Sequence, residues 1–239
     1  MKQLFKKLIS KSGWEVRRSS SQVGNNMLNG LIWLRRNGFK FNTIIDVGAS
    51  DGRWTKQCRN VFSKSRYILF EPQPTHSDKL DNYVSLTGNS VTVIKKAVGG
   101  HEGVVNFDAE DPLGGVITSV KNQFTIQVPV TTIDAVIGGM DDQPPYLLKL
   151  DTHGIEKSIL DGSEITLKNC HALIVEAYNY RIIEDALLFW ELCDFLARKG
   201  FRPIHLVDVS SRPFDDTLWQ MDIFFIRSDW KGYEHVSYT

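Results

Sequence analysis

The amino-acid sequence predicts one α/β domain built on a mostly parallel sheet wound by helices on both faces. Two patterns carry that prediction. Short β-branched and apolar runs recur at residues 43–47, 67–70, 91–95, 146–150 and 172–176, and continuous runs of this kind suit strands buried on both faces of a parallel sheet. Helical spacing of apolar residues falls between most of them, over 53–62, 75–86 and 155–167, and such alternation reads as βαβ units. A third observation bounds the answer: 239 residues, 42% of them hydrophobic, suffice for one core, and no internal repeat divides the chain.

The elements follow in order. Leu4, Phe5, Leu8 and Ile9 share one helical face, with Lys2, Lys6, Lys7 and Lys11 mostly elsewhere. A second helical stretch over 25–36 stops at Gly38, a residue suited to a helix end. Residues 1–38 are thus a basic helical segment, and 39–239 the main domain. After the third strand the rhythm breaks. Residues 99–130 show strand-like alternation in GVVNFDAE and FTIQVPV, which predicts a β-hairpin insertion, with a short helix near 132–137 behind it. A long helix is expected over 184–199, capped by Gly200, and then two strands over 202–208 and 218–226, an antiparallel pair that completes seven strands.

Charge excludes some partners. The 28 basic and 28 acidic side chains cancel, so no global field points to nucleic acid. The first 38 residues hold eight Lys or Arg against Glu15 alone, a surplus of seven. That surplus reads either as a solvated lead-in packing a few leucines onto the domain or as a contact with a membrane surface or partner. Cys58, Cys170 and Cys193 have no metal-ligand spacing and fit a reducing cytoplasm. No apolar run reaches the roughly 18 residues of a membrane span. The expected location is cytoplasmic, with peripheral contact at the inner membrane face left open.

DVGASDG, Asp46 to Gly52, joins the first strand to the first helix. Gly48 permits backbone angles closed to other residues, and its missing Cβ leaves room for a ligand. Gly52 opens a helix whose first N–H groups are unpaired. Glu71 ends the second strand, where a carboxylate accepts ribose hydroxyls, with Phe70 and Pro72 flanking an adenine slot. The loop is not the dinucleotide fingerprint: Ser50 stands at the middle glycine position, and Asp46 and Asp51 oppose a pyrophosphate. A cofactor carrying sulfonium and ammonium groups suits those acids, which favours S-adenosylmethionine over a nicotinamide dinucleotide. A tight strand–helix turn without a ligand is the plainer alternative.

With DVGASDG, FEP at 70–72, KAVGG at 96–100, VPVTTID at 128–134 and LLKLDTHGIEKSILDGSE at 147–164 all in order, the chain resembles the FkbM-type methyltransferases. MDIFFIR near the end is similar too. The resemblance implies a class I, Rossmann-like methyltransferase domain over 39–239, using S-adenosylmethionine and usually methylating a hydroxyl oxygen on a sugar or polyketide natural product. By position it implies that Asp46, Gly48, Ala49, Asp51, Gly52, Glu71 and Pro72 line the cofactor, and that Ala97 and Val98 lie beside the adenine.

KLDTHG places Asp151 at the carboxyl end of the fourth strand, beside the cofactor's methionine end and the acceptor. Many relatives carry Glu or Gln where this chain has His153. A histidine of near-neutral pKa takes a proton from an attacking hydroxyl, so His153 is the candidate base; the alternative is a histidine that orients the loop. Glu176, Tyr178 and Asn179, ending the fifth strand, and Ser119 in the insertion are candidate acceptor contacts. Asp151, Glu176 and Asn179 also have the oxygen chemistry of a Mg²⁺ site, although nothing else in the sequence asks for a metal. The acceptor is expected to be a small molecule or glycan. Two rival readings remain: a nicotinamide-dependent oxidoreductase, and a non-catalytic module recruited through its basic amino terminus.

Overall fold

In the computed structural model, residues 26–237 are described. Asn26 caps the first helix, α1 (Met27–Arg36), through its side chain, and the helix ends before Gly38, which has a positive φ of 83°. The chain then alternates through β1 (Thr43–Val47), α2 (Arg53–Val61), β2 (Arg66–Phe70), α3 (Ser77–Thr87) and β3 (Val91–Ile94). The insertion follows: β4 (Ala97–Val98), β5 (Gly103–Asp108), β6 (Val116–Ile117) and β7 (Thr125–Thr131). Next come α4 (Ile133–Gly138), β8 (Tyr146–Leu150), α5 (Glu156–Asp161), α6 (Glu164–Lys168), β9 (Cys170–Tyr178), α7 (Phe189–Arg198), β10 (Phe201–Ser211) and β11 (Leu218–Arg227).

Seven strands form the main sheet in the order β10-β11-β9-β8-β1-β2-β3. Only β11 runs against the rest, antiparallel to both β9 and β10. Strand order reverses between β1 and β8, and in open α/β sheets such a point leaves a crevice at the carboxyl edge. Alternate residues of the central strands face two cores. Ile45, Phe70, Leu148 and Val175 pack under α4 to α7, whereas Ile44, Leu69, Leu147, Ile174 and Phe224 pack under α1, α2 and α3. Leu31 and Leu34 of α1 are fully buried there, and a Cβ on Gly30 would stand 2.5 Å from the Phe224 ring, so α1 presses closely on the sheet.

Three expectations need correction. The insertion is more than a hairpin: β5 pairs antiparallel with β7 and β6, and β4 adds in parallel to β7, giving a four-stranded second sheet. The helix expected over 155–167 is two helices. A Cβ at Gly162 would meet the Gly99 carbonyl at 2.6 Å, and the break lets Asp134 accept the Ile165 and Thr166 N–H groups of α6, each at 2.8 Å. The helix expected from Glu184 begins only at Phe189. Residues 181–188 are held outside it, Arg181 donating to the Ala186 carbonyl and Glu191 accepting the Leu188 N–H at the helix start. Apolar Ala186, Leu187 and Leu188 imitate a helical stripe, but they lie before the helix, Ala186 buried and the two leucines half-buried.

The basic face built on Leu4, Phe5, Leu8 and Ile9 lies outside the described residues. Among those described, no helix is long and apolar enough to cross a membrane.

Candidate active site

The carboxyl ends of β1, β2, β8 and β9 open into a cleft of about 410 Å³, within the range of small-molecule and cofactor sites. Its floor is the turn from β1 to α2, where Gly48, Ser50 and Gly52 have φ of 79°, 49° and 74°. The Gly48 and Ala49 N–H groups both donate to the Phe70 carbonyl, which ties the turn to β2. A Cβ on Gly48 would stand 2.0 Å from the Asp151 carbonyl oxygen. Close approach to β8 demands this glycine before any ligand does. Gly52 turns away from the cleft, towards Leu80 and Tyr83 of α3.

Glu71, 7% exposed, reaches back from β2 across the turn. One carboxylate oxygen accepts the Ser50 N–H at 2.7 Å and the other the Gln73 N–H at 2.8 Å. Burial raises its pKa, against the pull of those N–H groups. Each oxygen keeps a lone pair for a further donor. Pro72 lies beside it, and Ala97 and Val98 line the cleft from β4, with Phe107 and Ile117 of the second sheet closing over them.

Asp51 also lines the cleft, paired with Arg53 at 3.2 Å. Asp46 does not. It is fully buried beneath the turn, where Thr55 Oγ1 donates to its Oδ2 at 2.5 Å and burial raises its pKa. Its Oδ1 has no hydrogen-bond partner among the described residues. Direct cofactor contact by Asp46 is therefore corrected: the pleat of β1 aims it at the α1 face of the sheet.

At the other end of the cleft Asp151, His153 and Glu176 converge, with ligand-type atoms within 4.8 Å of one another. Asn179 is turned to a different task, its Nδ2 donating to the Leu218 carbonyl of β11. Tyr178 lies behind the cleft wall, donating from its hydroxyl to Glu176 Oε2 at 2.5 Å, and Gln220 donates to Glu176 Oε1 at 2.7 Å. Ser119 is exposed and lines no part of the cleft; Leu113, Gly115 and Val116 occupy the place expected for it.

His153 has a positive φ of 54° and faces acceptors on both sides. Its Nδ1 meets Tyr178 Oη at 2.8 Å and Glu176 Oε2 at 3.1 Å, and Nε2 meets the Leu113 carbonyl at 3.3 Å. A doubly protonated ring satisfies this arrangement. Burial opposes the charge, but the Glu176 carboxylate outweighs it and the pKa rises to about 9. The expectation of a near-neutral histidine is corrected accordingly.

Several residues were not singled out by sequence reasoning. Gln73 donates to the Ala109 and Asp111 carbonyls, and His76 meets the Pro112 carbonyl at 2.6 Å and Ser50 Oγ at 3.3 Å. With His153, they strap residues 109–113 of the insertion across the cleft. Lys149, 2% exposed, ion-pairs with Asp151 at 2.5 Å at the base of the cleft lining. A lysine in the otherwise apolar run YLLKL was the available signal for it.

A strand order reversing at a glycine turn, a carboxylate closing the second strand and a single antiparallel strand beside the edge together define a class I methyltransferase fold. The family comparison makes this specific. Residues 46–203 match the model of the methyltransferase FkbM domain, and the chain belongs to that family. It is 20% identical over 137 residues to the hexuronic acid methyltransferase AglP of Haloferax volcanii, a match covering 57% of this chain and 56% of that protein. Among solved structures it is similar to methyltransferase FkbM from Methylobacillus flagellatus KT, with a TM-score of 0.55 and 18% identity, over 84% of this chain and 48% of that one. The chain thus spans about half the length of both relatives, and the second likeness is one of fold.

Proposed function

We propose that this chain transfers a methyl group from S-adenosylmethionine to a hydroxyl oxygen of a sugar, glycan or polyketide-type acceptor. The observation that carries the cofactor reading is Glu71. It is buried at the cleft wall, locked by two backbone N–H groups, and among the described residues forms no ion pair. That is a carboxylate prepared for ribose hydroxyls, while Ser50 in place of the middle glycine and Asp51 beside the turn speak against a pyrophosphate. When bound, S-adenosylmethionine supplies an activated methyl group, so the protein's work is positioning and proton management. Asp151 receives the amino end of the cofactor or the acceptor, and the wall of Phe107, Leu113 and Ile117 excludes water. His153 accepts the hydroxyl proton in its deprotonated form, at Nε2 once the Leu113 carbonyl is released.

A hydroxyl of a saccharide is the first acceptor class to try, because AglP is a hexuronic acid methyltransferase. The test has two arms. Calorimetry with S-adenosylhomocysteine and with NADH separates the methyltransferase reading from the oxidoreductase one. Labelled methyl transfer into nucleotide sugars, lipid-linked sugars and polyketides, read by mass spectrometry, identifies the acceptor atom. Binding of NADH without S-adenosylhomocysteine would overturn the proposal, and label on nitrogen would overturn O-methylation. The basic amino terminus remains a proposed membrane or partner contact, tested by vesicle pelleting of the full chain against one lacking residues 1–18.

A further inference from the structure

Lys149 sits in the middle of the seven-stranded sheet, on β8 between β1 and β9, where charge is costly. Leu147, two residues earlier on the same face, is packed in the core beneath α1 and α2. An apolar side chain at 149 would continue that core, and replacing a buried ion pair by apolar residues is commonly neutral or stabilising. The lysine therefore calls for a reason in the cleft above it.

Its surroundings supply one. Nζ meets Asp151 Oδ2 at 2.5 Å and lies 5.5 Å from the centre of the Trp54 ring, and both residues line the cleft. Asp46 is its register partner on β1, so the two side chains stand side by side under the glycine turn. Burial disfavours the ammonium, yet Asp151, Asp46 and Asp222 around it hold it charged. In return, burial pushes the Asp151 carboxyl up, but Lys149 outweighs that and holds it below the usual carboxylate range. Lys149 takes Oδ2 of Asp151, whose side chain keeps 36% exposure and lies on the cleft side beside Glu176.

We propose that Lys149 is a positioning residue for the transfer reaction, gripping Asp151 by Oδ2 from below so that its carboxylate is held towards the cofactor's amino end. The role rests on the cofactor reading above. Trp54 fixes the lysine from the side of α2, and Asp46, tied to Thr55, closes it in beneath the turn. The cofactor loop and the acceptor end of the cleft are thereby joined through one buried cation.

The test is calorimetry of S-adenosylhomocysteine at pH 7 with wild type, Lys149→Met, Asp151→Asn and the double variant. Lys149→Met should bind about tenfold more weakly, because Asp151 loses the cation that grips its Oδ2. If Lys149→Met fails to fold, the double variant still decides the matter, since it leaves no unpaired Lys149–Asp151 charge. It should bind as Asp151→Asn does, the lysine having no effect without its target. A well-folded Lys149→Met with unchanged affinity would overturn the proposal, as would a double variant markedly weaker than Asp151→Asn. Wild type that binds no S-adenosylhomocysteine would instead remove the cofactor reading, and this proposal with it.

Discussion

Replacing Glu71 with alanine removes the cleft carboxylate assigned to the ribose, and its consequence can be worked from the hydrogen bonds. Each oxygen already accepts one backbone N–H, from Ser50 at 2.7 Å and Gln73 at 2.8 Å. Each retains capacity for one ribose hydroxyl. A hydrogen bond to a charged group nets about 1.5–3 kcal/mol, and water partly replaces the lost partner in an opened cleft. The expected loss in binding S-adenosylhomocysteine is about 1.5–4 kcal/mol, at least tenfold in Kd. The free protein is also destabilised, because two N–H groups lose their acceptor at about 1–3 kcal/mol each if they stay buried. Calorimetry at a temperature well below the variant's own melting point separates the two effects. Glu71→Gln sharpens the test: one oxygen becomes an amide nitrogen that must face a backbone N–H, so the turn is disturbed although shape is kept. It should bind nearly as weakly as Glu71→Ala. A folded Glu71→Ala with wild-type affinity would refute the reasoning.

Two further outcomes follow from the same geometry. If His153 takes the proton, the transfer rate climbs with pH towards about 9, where the ring loses its proton, and His153→Ala binds the cofactor normally but transfers about 100-fold more slowly with a flattened profile; an unchanged rate would place the proton acceptor elsewhere. Because that pKa lies above the unfolded value of about 6.5, the Glu176–His153 pair stabilises fully below the latter and loses its contribution as pH rises through about 9, a window worth on the order of 3 kcal/mol. A melting-temperature difference between wild type and His153→Gln that stays constant from pH 6 to 9.5 would contradict this. Gly48→Ala combines φ of 79° with a Cβ at 2.0 Å from the Asp151 carbonyl, so it should cost more than about 2 kcal/mol by chemical denaturation; a loss below about 0.5 kcal/mol would show that the turn yields freely.

What was legible in the sequence divides along a physical line. β1 and β8 carry short runs that are apolar or β-branched apart from Asp46 and Lys149, and their bounds at residues 43–47 and 146–150 are as the run lengths indicate. The glycine turn and Glu71 are equally local, since backbone conformation and a strand end are encoded by neighbours in the chain. The helix at 155–167 splits because Gly162 must clear Gly99, a contact with no trace in the periodicity of 155–167. Likewise Ser119 was placed by its position in the insertion, whereas Leu113 arrives in the cleft through long-range bonds of Gln73, His76 and His153 to residues 109–113. Asp46 was placed at the cofactor by its position in DVGASDG and by the resemblance, but its neighbour Val47 faces the opposite core, so the pleat sends the carboxylate under the turn.

The charges of the cleft set one carboxylate apart from the others as the free acceptor that the proposed cofactor reading needs. Asp51 is paired with Arg53, Asp151 with Lys149 and Glu176 with His153. Each of these acids has its countercharge within the protein, and for Asp151 and Glu176 the countercharge is itself buried or nearly so. Glu71 has two amide dipoles and no basic side chain bonded to it among the described residues. Its two oxygens therefore stay free to accept neutral ribose hydroxyls, a role that an acid at this strand end also plays towards a dinucleotide. The turn and Glu71 would serve several nucleotide cofactors; in the proposed reading it is Ser50 in place of the middle glycine and Asp51 beside the turn, together with the family match, that favour a cofactor with positive charge at its far end.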